Sequence, residues 1–153
     1  MSGTITAIIG SMFSGKSTGL ISALKRATIA KQDVILFKPA IDDRYSTSNV
    51  VSHDGASLPA IAIGSSHEVM NFIKNATVVG FDEIQFFDEG IIDVICKLAS
   101  NGKKVVVAGL SSDFMGNPFE ISAKIAMVAD EVRKLSAVCM KCGQDAIWTQ
   151  RVI

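Results

Sequence analysis

Residues Gly10 to Ser17 read Gly-Ser-Met-Phe-Ser-Gly-Lys-Ser, the spacing G-x-x-x-x-G-K-[ST], and they follow an apolar β-rich run and open a helical one. Such a segment binds phosphate by explicit physics. Its glycines let the backbone of Gly10, Ser11, Met12, Phe13, Ser14 and Gly15 curl into a nest of N–H donors, while the helix N-terminus beyond adds positive potential. Lys16 then reaches the β- and γ-phosphates, Ser17 offers a hydroxyl to Mg²⁺, and Thr18 continues the first helical turn. The flanks favour this reading over a glycine turn with a stray lysine. Thr4 to Gly10 is apolar and β-branched, and Lys16 to Lys31 carries Leu20, Ile21, Leu24 and Ala27 at helical spacing. A chain with this loop is expected to bind a nucleoside triphosphate on an α/β sheet.

The rest of the sequence suits that frame. A length of 153 residues fits one domain, and 48% hydrophobic content is enough to bury a small sheet on both faces. Fifteen Lys and Arg balance fifteen Asp and Glu, so bulk charge gives no reason to expect nucleic acid as a partner. There is no signal-peptide pattern and no apolar run long enough to span a bilayer, so neither membrane nor export is expected and the cytoplasm is the simplest location. Three cysteines, two of them closely spaced, fit a reducing compartment better than a disulfide framework.

Further β-rich runs cover Asp33 to Pro39, Thr77 to Asp82, Lys103 to Gly109 and, less sharply, Glu131 to Val138; helical patterns fall over His67 to Asn75, Gly90 to Ala99 and Phe119 to Val128. Val34 to Phe37 and Val105 to Ala108 are unbroken apolar runs, as parallel strands covered on both faces require. The economical architecture is a doubly wound sheet, with Asn101-Gly102 stopping a helix. Ala40 to Pro59 is polar and reads as a functional loop rather than core.

A phosphate loop needs a second strand that delivers a carboxylate to the metal. Val78-Val-Gly-Phe-Asp82 ends in that acid, and Glu83 follows it at once. Neighbouring residues at a strand tip point different ways, so Asp82 suits the metal shell and Glu83 suits a general base facing the acceptor. The competing reading has the pair only cap the next helix. Cys139-Met-Lys-Cys142 has the two-residue spacing with which two thiolates grip one tetrahedral zinc, and by itself it is half a site or a pair of free thiols. Cys96 falls in an apolar helix and reads as core. Neither His53 nor His67 has the setting of a metal ligand.

Gly10 to Thr18, Asp82-Glu-Ile-Gln-Phe-Phe87, Gly109-Leu-Ser-Ser-Asp-Phe114 with Pro118-Phe119, and Leu135-Ser-Ala-Val-Cys-Met-Lys-Cys142 resemble, in order and spacing, the zinc-containing type II thymidine kinases. Lys38 to Ser46 and Ser52 to Gly55 look like that family's flexible segment. The resemblance covers nearly the whole chain. It implies a P-loop (RecA-like), doubly wound, mostly parallel α/β sheet over 1–134, followed by a zinc-knuckle appendage that begins in 135–153. It also implies ATP-dependent phosphorylation of the thymidine 5′-hydroxyl with Mg²⁺ on the phosphates, Glu83 as base, and Asp42 and Arg44 near the phosphates. Phe86, Leu110, Phe114 and Phe119 would shape the nucleoside pocket, with Met12 and Thr149 close to the nucleoside. Gln85 would either hydrogen-bond near the nucleotide or hold Glu83 in place. Zn²⁺ on Cys139 and Cys142, and a homotetramer, come with the family.

The family's second zinc-ligand pair, and the loop that closes over thymine between the two pairs, fall beyond Ile153, so this polypeptide is expected to supply two of four zinc ligands. Ser111-Ser112 stands where an acidic residue is more usual, and Gly116-Asn117 where basic residues are common in some members. Other classes fit less well. A GTPase would carry an Asn-Lys-x-Asp string, a DNA motor a basic face, and a nucleoside monophosphate kinase more than the arginines at 26, 44, 133 and 151. The remaining alternatives are another P-loop ATPase, or a nucleotide-binding zinc-knuckle subunit inactive without its lid.

Overall fold

The computed structural model describes residues 3–11, 14–40, 49–51, 57–113, 115–135, 137–138 and 145–146. The phosphate-loop frame unfolds as read: β1 (Thr4–Gly10) runs into the loop and α1 (Lys16–Ile29) leaves it, then β2 (Val34–Pro39) begins. A short antiparallel pair, β3 (Asn49–Val51) and β4 (Ser57–Pro59), is followed by β5 (Ile61–Ile63), a 3-10 turn over Ser66–Glu68 and α2 (Val69–Phe72). The second half contains β6 (Val78–Phe81), a 3-10 turn over Ile84–Phe86, α3 (Gly90–Ser100), β7 (Lys104–Leu110), α4 (Glu120–Val128), β8 (Glu131–Leu135), and the short antiparallel strands β9 (Ala137–Val138) and β10 (Asp145–Ala146).

The main sheet has six strands in the order β5-β2-β6-β7-β1-β8, and every pairing in it is parallel. Parallel strands must be joined by crossovers that cover the faces, and alternation decides which side chain goes where. Ile5, Ala7, Ile9, Phe37, Val79, Phe81, Val105 and Val107 face a core shared with α3 and α4, where Ile91, Ile95, Leu98 and Ile125 are fully buried. Ile8, Leu36, Val78, Val106 and Ala108 face α1 through Leu20, Ile21 and Leu24. Helices therefore lie on both faces, the doubly wound arrangement. Among the described residues no helix is long and apolar enough to cross a membrane.

Three details differ from the sequence expectation. The polar stretch between Ala40 and Pro59 is not all loop: Val50 is 5% exposed and, with Ala60, joins the α1 face of the core. Edge strand β5 went unread because three residues give too short a period to detect, although Ile61-Ala-Ile63 between Pro59 and Gly64 is an apolar run bounded by turn residues. The last strand stops at Leu135 rather than continuing unbroken to Val138. Cys96 is half-buried at the border of the α3 core, and His67 lies exposed in the 3-10 turn.

Candidate active site

Parallel pairing brings the carboxyl ends of β1, β7 and β6 side by side, so the segments leaving them share one end of the sheet, the usual ligand crevice of open α/β sheets. Gly15 caps α1 in the left-handed region at φ 88°, a conformation open to glycine and strained for other residues. No side chain caps the helix and its first turn carries no acid, which leaves the positive helix end facing the loop. The Ser14 hydroxyl is buried with no hydrogen-bond partner among the described residues. An orphaned hydroxyl inside a loop of N–H donors fits an incoming phosphate oxygen.

Lys16 enters the same space. Its ammonium donates to the Ser11 carbonyl at 3.2 Å, and burial holds its pKa below the usual lysine value against the pull of Asp82 and Glu83. Asp82, 7% exposed, lies directly beyond β6, and the Ser17 hydroxyl donates toward its two oxygens at 3.4 and 3.3 Å. Burial pushes the Asp82 carboxyl above its ordinary range, opposed by the Glu83 N–H at 3.0 Å, by Ser17, and by the charges of Lys16 and Lys38. A hydroxyl and a carboxylate converging from two elements are hard oxygen donors of the kind Mg²⁺ takes. These residues fit that ion.

Glu83 sits in the left-handed region at φ 52° and ψ 48°, an uncommon state for a side-chain-bearing residue. That bend ends the extended path of β6, whose last residue is Phe81. The Glu83 side chain makes no capping hydrogen bond to the 3-10 turn that follows, so the capping reading of the acidic pair fails for Glu83. The residue is exposed to solvent, yet its carboxyl is low enough in the crevice that lost hydration first, and the Asp82 charge second, raise its pKa; Lys16 and Lys38 pull the other way. Lys38 received no role from the sequence. The signal was there: a lysine at the carboxyl end of an otherwise apolar strand, β2, whose Phe37 carbonyl accepts the Asp82 N–H at 3.0 Å.

Beside the carboxylates, Phe86 is 46% exposed and meets Phe119 edge-on at 6.3 Å between ring centroids, whereas Phe87 turns inward against Phe81. Gln85 lies between these aromatics and the acids, and its Oε1 accepts the Leu110 N–H at 3.0 Å. Glu83, Gln85, Phe86, Leu110 and Phe119 therefore belong to one neighbourhood with Gly10, Ser11, Ser14 to Thr18 and Asp82. Met12, Phe13, Asp42, Arg44, Phe114, Cys139, Cys142 and Thr149 lie outside the described residues. Among the described residues no group of His, Cys, Asp and Glu forms a further metal cluster. Two open clefts of about 280 and 390 Å³ flank α1 and share Ala23, Lys104 and Arg133, but they reach the sheet at Thr4 and Lys104, the end opposite the phosphate loop.

Read as chemistry, the site pairs a phosphate cradle with a metal-suited carboxylate, a second carboxylate of raised proton affinity, and an open aromatic wall. The family model described as thymidine kinase matches residues 3–153. A thymidine kinase of Bacteroides thetaiotaomicron is 50% identical over 151 residues, covering 99% of this chain and 76% of that protein.

Proposed function

The chain belongs to the thymidine kinase family and is an enzyme of that kind; from this premise we propose that it transfers the γ-phosphoryl group of ATP to the 5′-hydroxyl of thymidine with Glu83 as general base. The observation that carries the residue assignment is the left-handed bend at Glu83, at which one of two adjacent carboxylates is buried beside Ser17 and the other is exposed. Asp82, bound to Ser17 and the Glu83 N–H, stays with the phosphate side. Glu83 is the exposed carboxylate of the pair and has a raised pKa, the property a proton acceptor needs.

The loop N–H groups and Lys16 hold the β- and γ-phosphates and stabilise charge as it shifts toward the leaving oxygen. Ser17 and Asp82 would hold Mg²⁺, whose chemistry there is to neutralise phosphate charge. Thymidine stacks its base against Phe86 and Phe119, and the 5′-hydroxyl proton passes to Glu83 as its oxygen bonds to phosphorus. The bond from phosphorus to the β–γ bridging oxygen breaks, giving the 5′-monophosphate and ADP. Arg44 and Asp42 near the phosphates, Met12, Leu110, Phe114 and Thr149 at the nucleoside, and Phe13 at the nucleotide complete the reading by family position; of the two roles the resemblance left to Gln85, its bond to the Leu110 N–H favours the structural one. The two-part division at residue 134, zinc on Cys139 and Cys142, and a homotetramer also rest on that resemblance, whereas the cytoplasmic location rests on the sequence pattern alone.

The test is thymidine phosphorylation by the wild-type chain with Mg·ATP beside Glu83→Gln. Binding of both substrates should stay within a few-fold while turnover falls by ~10²- to 10⁴-fold, the usual contribution of a general base. Turnover near the wild-type rate would remove Glu83 from that role.

A further inference from the structure

In a parallel sheet the N–H groups of successive residues point to opposite neighbours. The Ser111 N–H bonds the Gly10 carbonyl on the β1 side at 3.0 Å, so the Leu110 N–H faces the other side, where β6 should be. But β6 ends at Phe81, opposite Val107. Leu110 therefore extends past its neighbouring strand, and Gln85 Oε1 takes the N–H that the strand leaves unpaired. The Leu110 carbonyl is held as well: it accepts the hydroxyl of Ser122, a residue 1% exposed on α4, at 2.6 Å. Both backbone polar groups of one residue are thus bound by side chains from two other elements. Close approach is built in, because a Cβ on Gly109 would stand 2.8 Å from Gln85 Oε1 and 2.5 Å from Ile84 Cγ2.

We propose that Gln85 and Ser122 are positioning residues which clamp the Leu110 peptide and thereby set the nucleoside wall at a fixed distance from Glu83. Gln85 is two residues from Glu83 and directly precedes Phe86, so its bond ties the turn carrying base and aromatic wall to the tip of β7. Ser122 ties that tip to the helix following Phe119. Thymidine then meets a wall whose two aromatic contributors are referenced to one backbone position. The oxygen of Gln85 is committed to the protein and does not serve as a nucleotide contact. This inference rests on the thymidine kinase reading for its consequence, and on the hydrogen bonds alone for its geometry.

The variants are Gln85→Met, which keeps length and removes the acceptor, Gln85→Glu, which keeps an acceptor oxygen, and Ser122→Ala. In Gln85→Met and Ser122→Ala the KM for thymidine should rise about 3- to 10-fold, the scale of one lost hydrogen bond, while the KM for ATP changes less than about 2-fold. Amide hydrogen exchange, measured without substrate, should speed up at Leu110 in Gln85→Met by about 10-fold and stay slow in Gln85→Glu. Equal rises in both KM values, or unchanged Leu110 exchange in Gln85→Met, would overturn the clamp. Should Gln85→Met fail to fold, Ser122→Ala decides through the same KM comparison. A wild-type chain that did not phosphorylate thymidine would defeat the functional reading and leave exchange to judge the clamp.

Discussion

Lys16 and Asp88 show how differently two charged residues can act through their surroundings. Lys16 is drawn into a crevice whose hydration cost lowers its pKa, a cost that Asp82 and Glu83 offset in part and that bound phosphate would offset further. Lys16→Ala should keep the fold and weaken Mg·ATP binding by about 10- to 100-fold, the worth of charge-assisted hydrogen bonds, as calorimetry would measure. Asp88 instead serves the scaffold. Burial alone would raise its pKa, but the Ser66 hydroxyl at 2.6 Å and N–H at 2.8 Å, with the Asp88 and Gly90 N–H groups, hold it below the ordinary value. A depressed folded-state pKa means stability present above the unfolded value of about 3.9 and lost as pH falls through the folded one. The stability gap between wild type and Asp88→Asn, read from urea midpoints, should shrink between about pH 6 and about pH 3, and because Asp88 is exposed it should not exceed about 1 kcal/mol.

At the scale of elements, the turn after β6 carries the proposed base and the exposed Phe86. Its residues are ordinary for a loop, and what makes it specific is a left-handed glutamate followed by Ile84, which is fully buried, and Gln85, which reaches β7. The β7 strand answers with a glycine where any side chain would strike Ile84. Gly109→Ala should therefore cost about 1–3 kcal/mol in urea unfolding, the range for overpacking a filled core. A cost below about 0.5 kcal/mol would mean that the turn gives way and that its position is not held by packing.

Across the whole molecule, stability is concentrated where the two helix layers meet the sheet. Ile95 on α3 is fully buried, whereas Ile29, the last residue of α1, is 81% exposed. Ile95→Ala should destabilise by about 2–5 kcal/mol through lost burial and the cavity left behind, while Ile29→Ala should stay within about 0.5 kcal/mol, both measured by chemical unfolding. The same amino acid in two apolar helices thus carries opposite weight according to which face the sheet covers.

The strand–loop–helix order around Lys16, the apolar runs of β2 and β7 and the acidic end of β6 were legible in the sequence because they are local: their periodicity, turn residues and motif spacing are written in consecutive positions. The family was readable for the same reason, since Gly10 to Ser17 and Asp82 to Phe87 carry its motifs in short strings. Strand order, the burial of Val50, and the pull of the Lys38 charge on Asp82 and Glu83 were not readable. Each depends on pairings between residues far apart in the chain. The clamp on Leu110 is the clearest such case: Gln85 and Ser122 are unremarkable polar residues in sequence, and only a β6 strand that ends short of its neighbour creates the unpaired backbone group that gives Gln85 its use.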